Sequence, residues 1–366
     1  MHARAISPGN WQDTAGRNGG HCLFTNEGTW TSPQFAVTPF NYYRCIFWSK
    51  VLPRPAGTPW SDPDTAPPTP DGYPAVWSAQ SYDTDKRPLV SDHYWGVDLS
   101  DDWVKHEYIT YGKANSAYMS LSFEPYVKTA MSIDDVSVEL VDYDYAARWV
   151  DRQFAQMPQH RFTADKDRWR YIPKTMATLK NGGTIRIVML GDSICNDTSN
   201  SSWHALVQRM YPNAKLEVVS SVRGGTGNVW YQQDNRVKEY VIDYKPDLLI
   251  IAGISQGYDA EATRSVIKQV RAAINPEIMF MTPVVGPGDP CKDSPNDHRA
   301  ADFRAAMQNV CSEEKVEYVD MWDPWKDYVC SSSKPVYWLR RDHLHANVRG
   351  AIVLAKIIEA FFAPKR

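Results

Sequence analysis

The sequence predicts a mixed α/β protein: a three-layer α/β/α, doubly wound parallel sheet in the C-terminal half, preceded by an all-β sandwich. Three observations predict it. The N-terminal half carries short alternating or aromatic runs between turn-forming clusters and lacks long helical periodicity. The C-terminal half alternates near-continuous apolar runs with helical patterns, as in a parallel sheet buried on both faces. The length, 366 residues with 43% hydrophobic and 23% charged, suits two domains that each bury a core.

In chain order, the front half places strands at Tyr42 to Val51, Trp103 to Tyr111, Ala117 to Phe123 and Val136 to Val141. Between the first two, Leu52 to Pro74 holds eight prolines, which no central strand or helix tolerates, so a long surface loop is expected there. Residues 1–147 are read as the sandwich and 148–183, polar and of mixed charge, as a linker ending in the turn signal Asn181-Gly182-Gly183. From 184 to 366 the rhythm is strand then helix. Strands are expected at Ile185 to Leu190, Leu216 to Ser220, Leu248 to Ala252, Ile278 to Met281 and Val316 to Val319. Helices are expected near Trp203 to Met210, Val229 to Asp243, Ala260 to Ile274, Ala300 to Cys311 and Val348 to Phe362.

Several function classes fall away on composition. The net charge is -3 with scattered Lys and Arg, which leaves no electrostatic footprint for nucleic acid. No apolar run approaches a membrane span, so neither nucleic acid nor membrane is an expected partner. Six cysteines are dispersed without a C-x-x-C pair, so no metal site is expected. The even count permits disulfides. The amino terminus lacks the apolar core of a signal peptide, and a removed secretion signal with an extracellular or periplasmic location is the expectation.

Ligands of a doubly wound sheet sit beyond the carboxyl ends of its strands, so polar residues directly after strands are the first candidates. The first strand runs into Gly191-Asp192-Ser193-Ile194, which puts a serine on a tight turn before a helix. Alone, such a serine reads equally well as a helix cap. Before the last helix, however, Asp342-His343-Leu344-His345 supplies an acid and two histidines. A serine hydroxyl needs a base, and the base needs an orienting group, which Asp342 and His345 provide in combination with Ser193.

These two segments resemble the first and last signature blocks of the SGNH (GDSL-like) hydrolases, over about 184 to 366. The resemblance implies a flavodoxin-like sheet, Ser193 as nucleophile, His345 as general base and Asp342 as its orienter. His343 stands where the family often has glycine. Val222-Arg223-Gly224-Gly225-Thr226-Gly227 is similar to the second block, which implies an oxyanion donor at Gly227, with Gly224 and Gly225 as alternatives; the Ser193 N–H is the other donor. The third block departs from Gly-x-Asn-Asp: here Gly253-Ile254-Ser255-Gln256 puts Ser255 and Gln256 at the oxyanion position. Losing one such donor typically costs about 10²–10³ in rate. The same segment with Gly257 also fits the Gly-x-Ser-x-Gly elbow of α/β-hydrolases, making Ser255 a competing nucleophile.

Weaker candidates are Asp289, Asp293, Asp297 and His298 as cleft or cation residues, and Trp322, Trp325 and Trp338 as sugar-stacking walls or core. The front half, with Thr29-Trp30-Thr31 and the closing run Ser132 to Leu140, resembles jelly-roll carbohydrate-binding modules; its aromatics serve sugar stacking or the sandwich core. Asp134 and Asp135 are too few for a calcium shell. Together these imply an esterase that removes acyl groups, acetyl foremost, from a polysaccharide or oligosaccharide, an acyl-transfer chemistry that needs no cofactor. The alternatives are glycosidic cleavage or acyl transfer on the same scaffold, or a noncatalytic glycan binder.

Overall fold

The structure, a computed structural model, describes residues 10–12, 15–25, 28–53, 75–89, 93–97, 99–125, 129–254, 258–284, 288–292 and 295–365. The chain divides into two compact units, Met1–Asp142 with Arg340–His343, and Tyr143–Leu339 with Leu344–Arg366. The proline-rich segment 54–74 lies outside the described residues.

The first unit is built of two antiparallel five-stranded sheets, as a β-sandwich requires. One has the order β1 (Asn10–Gln12), β2 (Cys22–Thr25), β10 (Thr129–Val141), β5 (Tyr42–Pro53), β8 (Ser100–Tyr111). The other runs β3 (Trp30–Thr31), β9 (Tyr118–Pro125), β6 (Ala75–Tyr82), β7 (His93–Val97), with β4 (Phe35–Ala36) also on β9. Aromatics fill the core: Phe47 meets Phe123 edge-on at 4.9 Å and Trp77 at 5.8 Å, and Trp30 lies 5.8 Å from Phe123. His106 stacks on Phe47, and burial pulls its pKa down to about 4. Asp134 and Asp135 are taken up by Arg17, whose backbone N–H reaches Asp134 at 2.8 Å and whose guanidinium reaches Asp135 at 2.6 Å.

The second unit holds the parallel sheet, ordered β12 (Ala214–Val222), β11 (Gly183–Gly191), β13 (Leu248–Ile251), β14 (Glu277–Met281), β15 (Glu317–Val319). This is the 2-1-3-4-5 order of doubly wound folds, whose switch point lies between the first and third strands. All four strand pairs are parallel. Leu248–Ile251 is buried at every position, as a strand covered on both faces must be. The helices are α1 (Tyr143–Ala155), α2 (Pro173–Asn181), α3 (Ser193–Ser199), α4 (Trp203–Met210), α5 (Asn228–Tyr231), α6 (Arg236–Tyr240), α7 (Ala260–Ala273), α8 (Pro295–Glu313), α9 (Trp322–Ser331) and α10 (Val348–Phe362).

Three expectations change. The segment 148–183 is not a linker: most of α1 and all of α2 lie in it, and they bury Trp149, Val150, Phe154, Met176 and Leu179 against the second unit. The single helix expected over Val229 to Asp243 is two short helices and a 3₁₀ turn, because Asp234 at φ 52° leaves helical geometry between them. Helix α9 was hidden by its mixed polar sequence, although Trp325 and Tyr328 on it are completely buried.

Candidate active site

Ser193 is the first residue of α3, directly after the carboxyl end of β11. The turn that presents it is held by Asp192. One carboxylate oxygen accepts the Ile194 N–H at 2.9 Å and the Cys195 N–H at 3.2 Å, and the other accepts the Ile254 N–H at 3.0 Å beyond β13. Capping consumes two of the N–H groups that every helix start leaves unpaired. The N–H of Ser193 itself has no partner among the described residues, so a donor beside the hydroxyl stays uncommitted. Two glycines make room for this packing. A side chain at Gly191 would collide with Ala252 O, and one at Gly253, whose φ is 106°, would collide with the Asp192 carboxylate.

The helix is fastened to the neighbouring strand as well. Asn196 Oδ1 accepts from Ser220 Oγ at 3.2 Å and from Asn200 Nδ2 at 2.8 Å, while the hydroxyls of Ser199 and Ser220 are 2.7 Å apart. Cys195, adjacent in space and fully buried, has its thiol pushed well above the ordinary range by desolvation, reinforced by the charges of Asp192 and Asp197. It stays protonated and does not compete as a nucleophile.

His345 arrives from the segment before α10, and its Nε2 lies 2.8 Å from Ser193 Oγ, both side chains half-buried. The backbone on its C-terminal side is pinned: the Ala346 N–H donates to Asp197 Oδ2 at 3.0 Å, and Asn347 caps α10 by accepting the Gly350 N–H at 3.1 Å. Asn347 also ties back to the preceding 3₁₀ turn, its Nδ2 donating to Trp338 O at 2.9 Å. Asp197 was missed in the sequence. Its signal was the spacing of four from Ser193, which places it on the same side of α3. Asp342 is half-buried three residues before His345, and His343 is exposed.

The glycine loop after β12 runs beside the serine. Arg223 N–H donates to Gly191 O at 3.0 Å, and a methyl group on Gly224 would come 4.0 Å from Ser193 Cβ. Gly227 instead stands just before α5, its carbonyl accepting from Trp230 and Tyr231. Ser255, Gln256 and Gly257 lie outside the described residues, as does Asp293; so do the side chains of Asp297 and His298 on α8. Asp289 accepts the Cys291 N–H at 3.0 Å and pairs with Lys292 at 3.3 Å. Of the three tryptophans, Trp325 is core, while Trp322 and Trp338 are half-buried beside arginines, Arg304 at 5.9 Å and Arg349 at 4.8 Å. Cys291 and Cys330 form a disulfide.

Residues 189–351 match the model of the GDSL-like Lipase/Acylhydrolase family. Among solved structures, a two-domain esterase active on acetylated mannans is 16% identical with a TM-score of 0.43, the match taking in 53% of this chain and 52% of that one. The chain thus spans about half the length of that protein. An acetylxylan esterase from Geobacillus stearothermophilus is 18% identical over 50% of this chain and 99% of its own, with a TM-score of 0.41. A further acetyl xylan esterase gives 16% identity, 47% and 96% coverage and a TM-score of 0.40. No curated protein matches the chain.

Proposed function

We propose that the GDSL-like lipase/acylhydrolase domain spanning residues 189–351 gives this chain a serine esterase activity that removes acyl groups, acetyl foremost, from a polysaccharide or oligosaccharide. The observation that carries the reading is the 2.8 Å approach of His345 Nε2 to Ser193 Oγ. In the proposed first step His345 Nε2 takes the Ser193 proton as Oγ bonds to the acyl carbon, and the carbonyl π electrons move to oxygen. Collapse of the tetrahedral adduct returns that proton to the departing sugar alkoxide. Water, deprotonated by the same imidazole, then releases the carboxylic acid and restores the serine.

Asp342 is assigned to orient the imidazole and stabilise its charged form. The N–H groups of Ser193 and Gly224 are assigned to the oxyanion, the latter in preference to Gly227 because Gly224 is the glycine beside the nucleophile. Ser255 and Gln256 keep their proposed place as side-chain donors. The glycan part of the reading rests on the resemblance of the front domain to carbohydrate-binding modules. A secreted location is supported by the disulfide, a bond that persists in oxidising compartments.

Hydrolysis of an aryl acetate and of acetylated xylan or mannan by wild type, Ser193→Ala, His345→Ala and Ser255→Ala, each checked for folding by circular dichroism, tests this. The first two variants should lose about 10⁴-fold or more in kcat, and Ser255→Ala far less. Full turnover in Ser193→Ala would remove the assignment.

A further inference from the structure

Away from the serine, at the amino-end side of the parallel sheet, lies a groove of about 990 Å³. The turn before α2 and the chain after α10 line it. Its walls are partly apolar, from Pro173, Met176, Ala177 and Pro364, and its charged lining is Arg168, Arg170, Lys180 and Lys365 against the single carboxylate of Asp167. Three of the cations gather on one ring: Arg168 Cζ lies 4.7 Å, Lys365 Nζ 5.3 Å and Lys180 Nζ 5.4 Å from the centre of Trp169. No two of them are therefore more than about 11 Å apart, near one Debye length, so they repel one another when nothing lies between them. Lys180, Lys365 and Arg170 are exposed and have no ion-pair partner among the described residues.

The floor of the groove is built to hold its shape. Trp169 has φ 76°, a conformation costly for a bulky residue. It is held there by the buried Glu317, whose carboxylate accepts the Trp169 N–H at 2.6 Å and the Tyr171 N–H at 2.8 Å, and by its own indole N–H donating to Phe361 O at 3.0 Å. Glu317 faces the backbone behind Trp169, so its charge offsets part of the field of Lys365 but does not occupy the groove. Arg168 is likewise fixed, spending its donors on the carbonyls of Asp165, Phe361 and Ala363. It contributes a stationary positive charge, while the two lysines and Arg170 keep free donors.

We propose that this groove is a second binding site, separate from the Ser193 site, for an acidic oligosaccharide: sugar rings against Pro173, Ala177 and Pro364, with their carboxylates on Lys180, Lys365 and Arg170. The anionic part follows from the cations alone; the sugar part rests on the glycan reading of the active site.

Isothermal titration with trigalacturonate as probe, on wild type and on Lys180→Gln/Lys365→Gln, tests it, with Arg170→Gln as a second variant. All three changes are at exposed positions and should leave folding and aryl acetate hydrolysis unchanged, so a failure of the esterase reading would show separately in that assay. Expected are saturable binding that weakens with salt, a loss of about tenfold in affinity in the double variant, and little binding of neutral xylotriose. Absence of trigalacturonate binding, or equal binding by wild type and double variant, would overturn the proposal. Inorganic sulfate or a DNA oligomer binding as tightly as trigalacturonate would also overturn it, by making the groove a general anion surface.

Discussion

At the amino ends of the parallel strands, two acidic side chains reach outward to backbone far away in sequence: Glu317 to Trp169 and Tyr171, and Glu277 to Lys174 and Thr175 at 2.7 Å each. At the carboxyl ends the same chemistry turns inward. Asp192 accepts two N–H groups only two and three residues ahead of it and a third from Ile254, just beyond the neighbouring strand. Carboxylates at one end fasten the 169–175 segment to the sheet, and the carboxylate at the other end shapes the turn that carries Ser193. A disulfide rather than an ion pair then ties the loop after β14 to the end of α9. One sheet uses a single kind of hydrogen bond for architecture at one end and for shaping the turn that carries Ser193 at the other.

Removing the inward carboxylate should hurt most. Asp192→Ala leaves three backbone N–H groups without their acceptor, two of them in buried bonds, for about 3–5 kcal/mol of stability. It should also cost roughly 10² in kcat, because Ser193 loses its position while keeping its hydroxyl. Urea unfolding beside steady-state kinetics checks both. A variant that unfolds more easily but turns over normally would make Asp192 an architectural acid like those at the other end.

Next is the staple. Cys291→Ser/Cys330→Ser opens a cross-link between residues 39 apart and should lower stability by about 2–4 kcal/mol, measured by thermal unfolding with and without reductant. Reductant should shift the wild type and leave the double variant unmoved.

Gly253→Ala tests how tightly the switch point is packed. The added methyl group would collide with the Asp192 carboxylate at a backbone φ of 106°, for about 1–3 kcal/mol. Made on top of Asp192→Ala, the same change should cost less, since the atom it strikes is gone, and this non-additivity identifies the contact.

How much of this was legible in the sequence follows from how local each signal is. The strands of the parallel sheet announced themselves because Ile187 to Leu190 and Leu248 to Ile251 are apolar throughout, and the Ser193 and His345 segments did so by standing directly after a strand and directly before a helix. Asp192 was visible but unread: an acid beside a serine gives no hint that it bonds to Ile254. Asp197 and Gly224 have roles set by the approach of segments distant in sequence, Ala346 to one and Ser193 to the other. Helices α1 and α2 read as a linker in the sequence because charged residues punctuate them. Their buried faces, Trp149 with Val150 and Phe154, and Met176 with Leu179, are short and only become a pattern against the layer they cover.

The smallest effect comes from the outward acids and has a sign that tests the comparison. Burial raises the Glu317 pKa above 4.5, more than the two N–H bonds to Tyr171 and Trp169 and the charge of Lys365 lower it. A carboxyl that holds its proton more tightly in the folded chain contributes stability that is complete below about pH 4.5 and is lost as pH rises through the raised value. Glu317→Gln cannot titrate and gives up one acceptor, for about 1 kcal/mol. The margin by which wild type exceeds this variant in thermal unfolding should therefore shrink from pH 4 to pH 7. A margin that grows instead would mean that the N–H donors govern the group. Glu317 would then act as an ionised clamp on the Trp169 and Tyr171 N–H groups, and burial would not decide its charge.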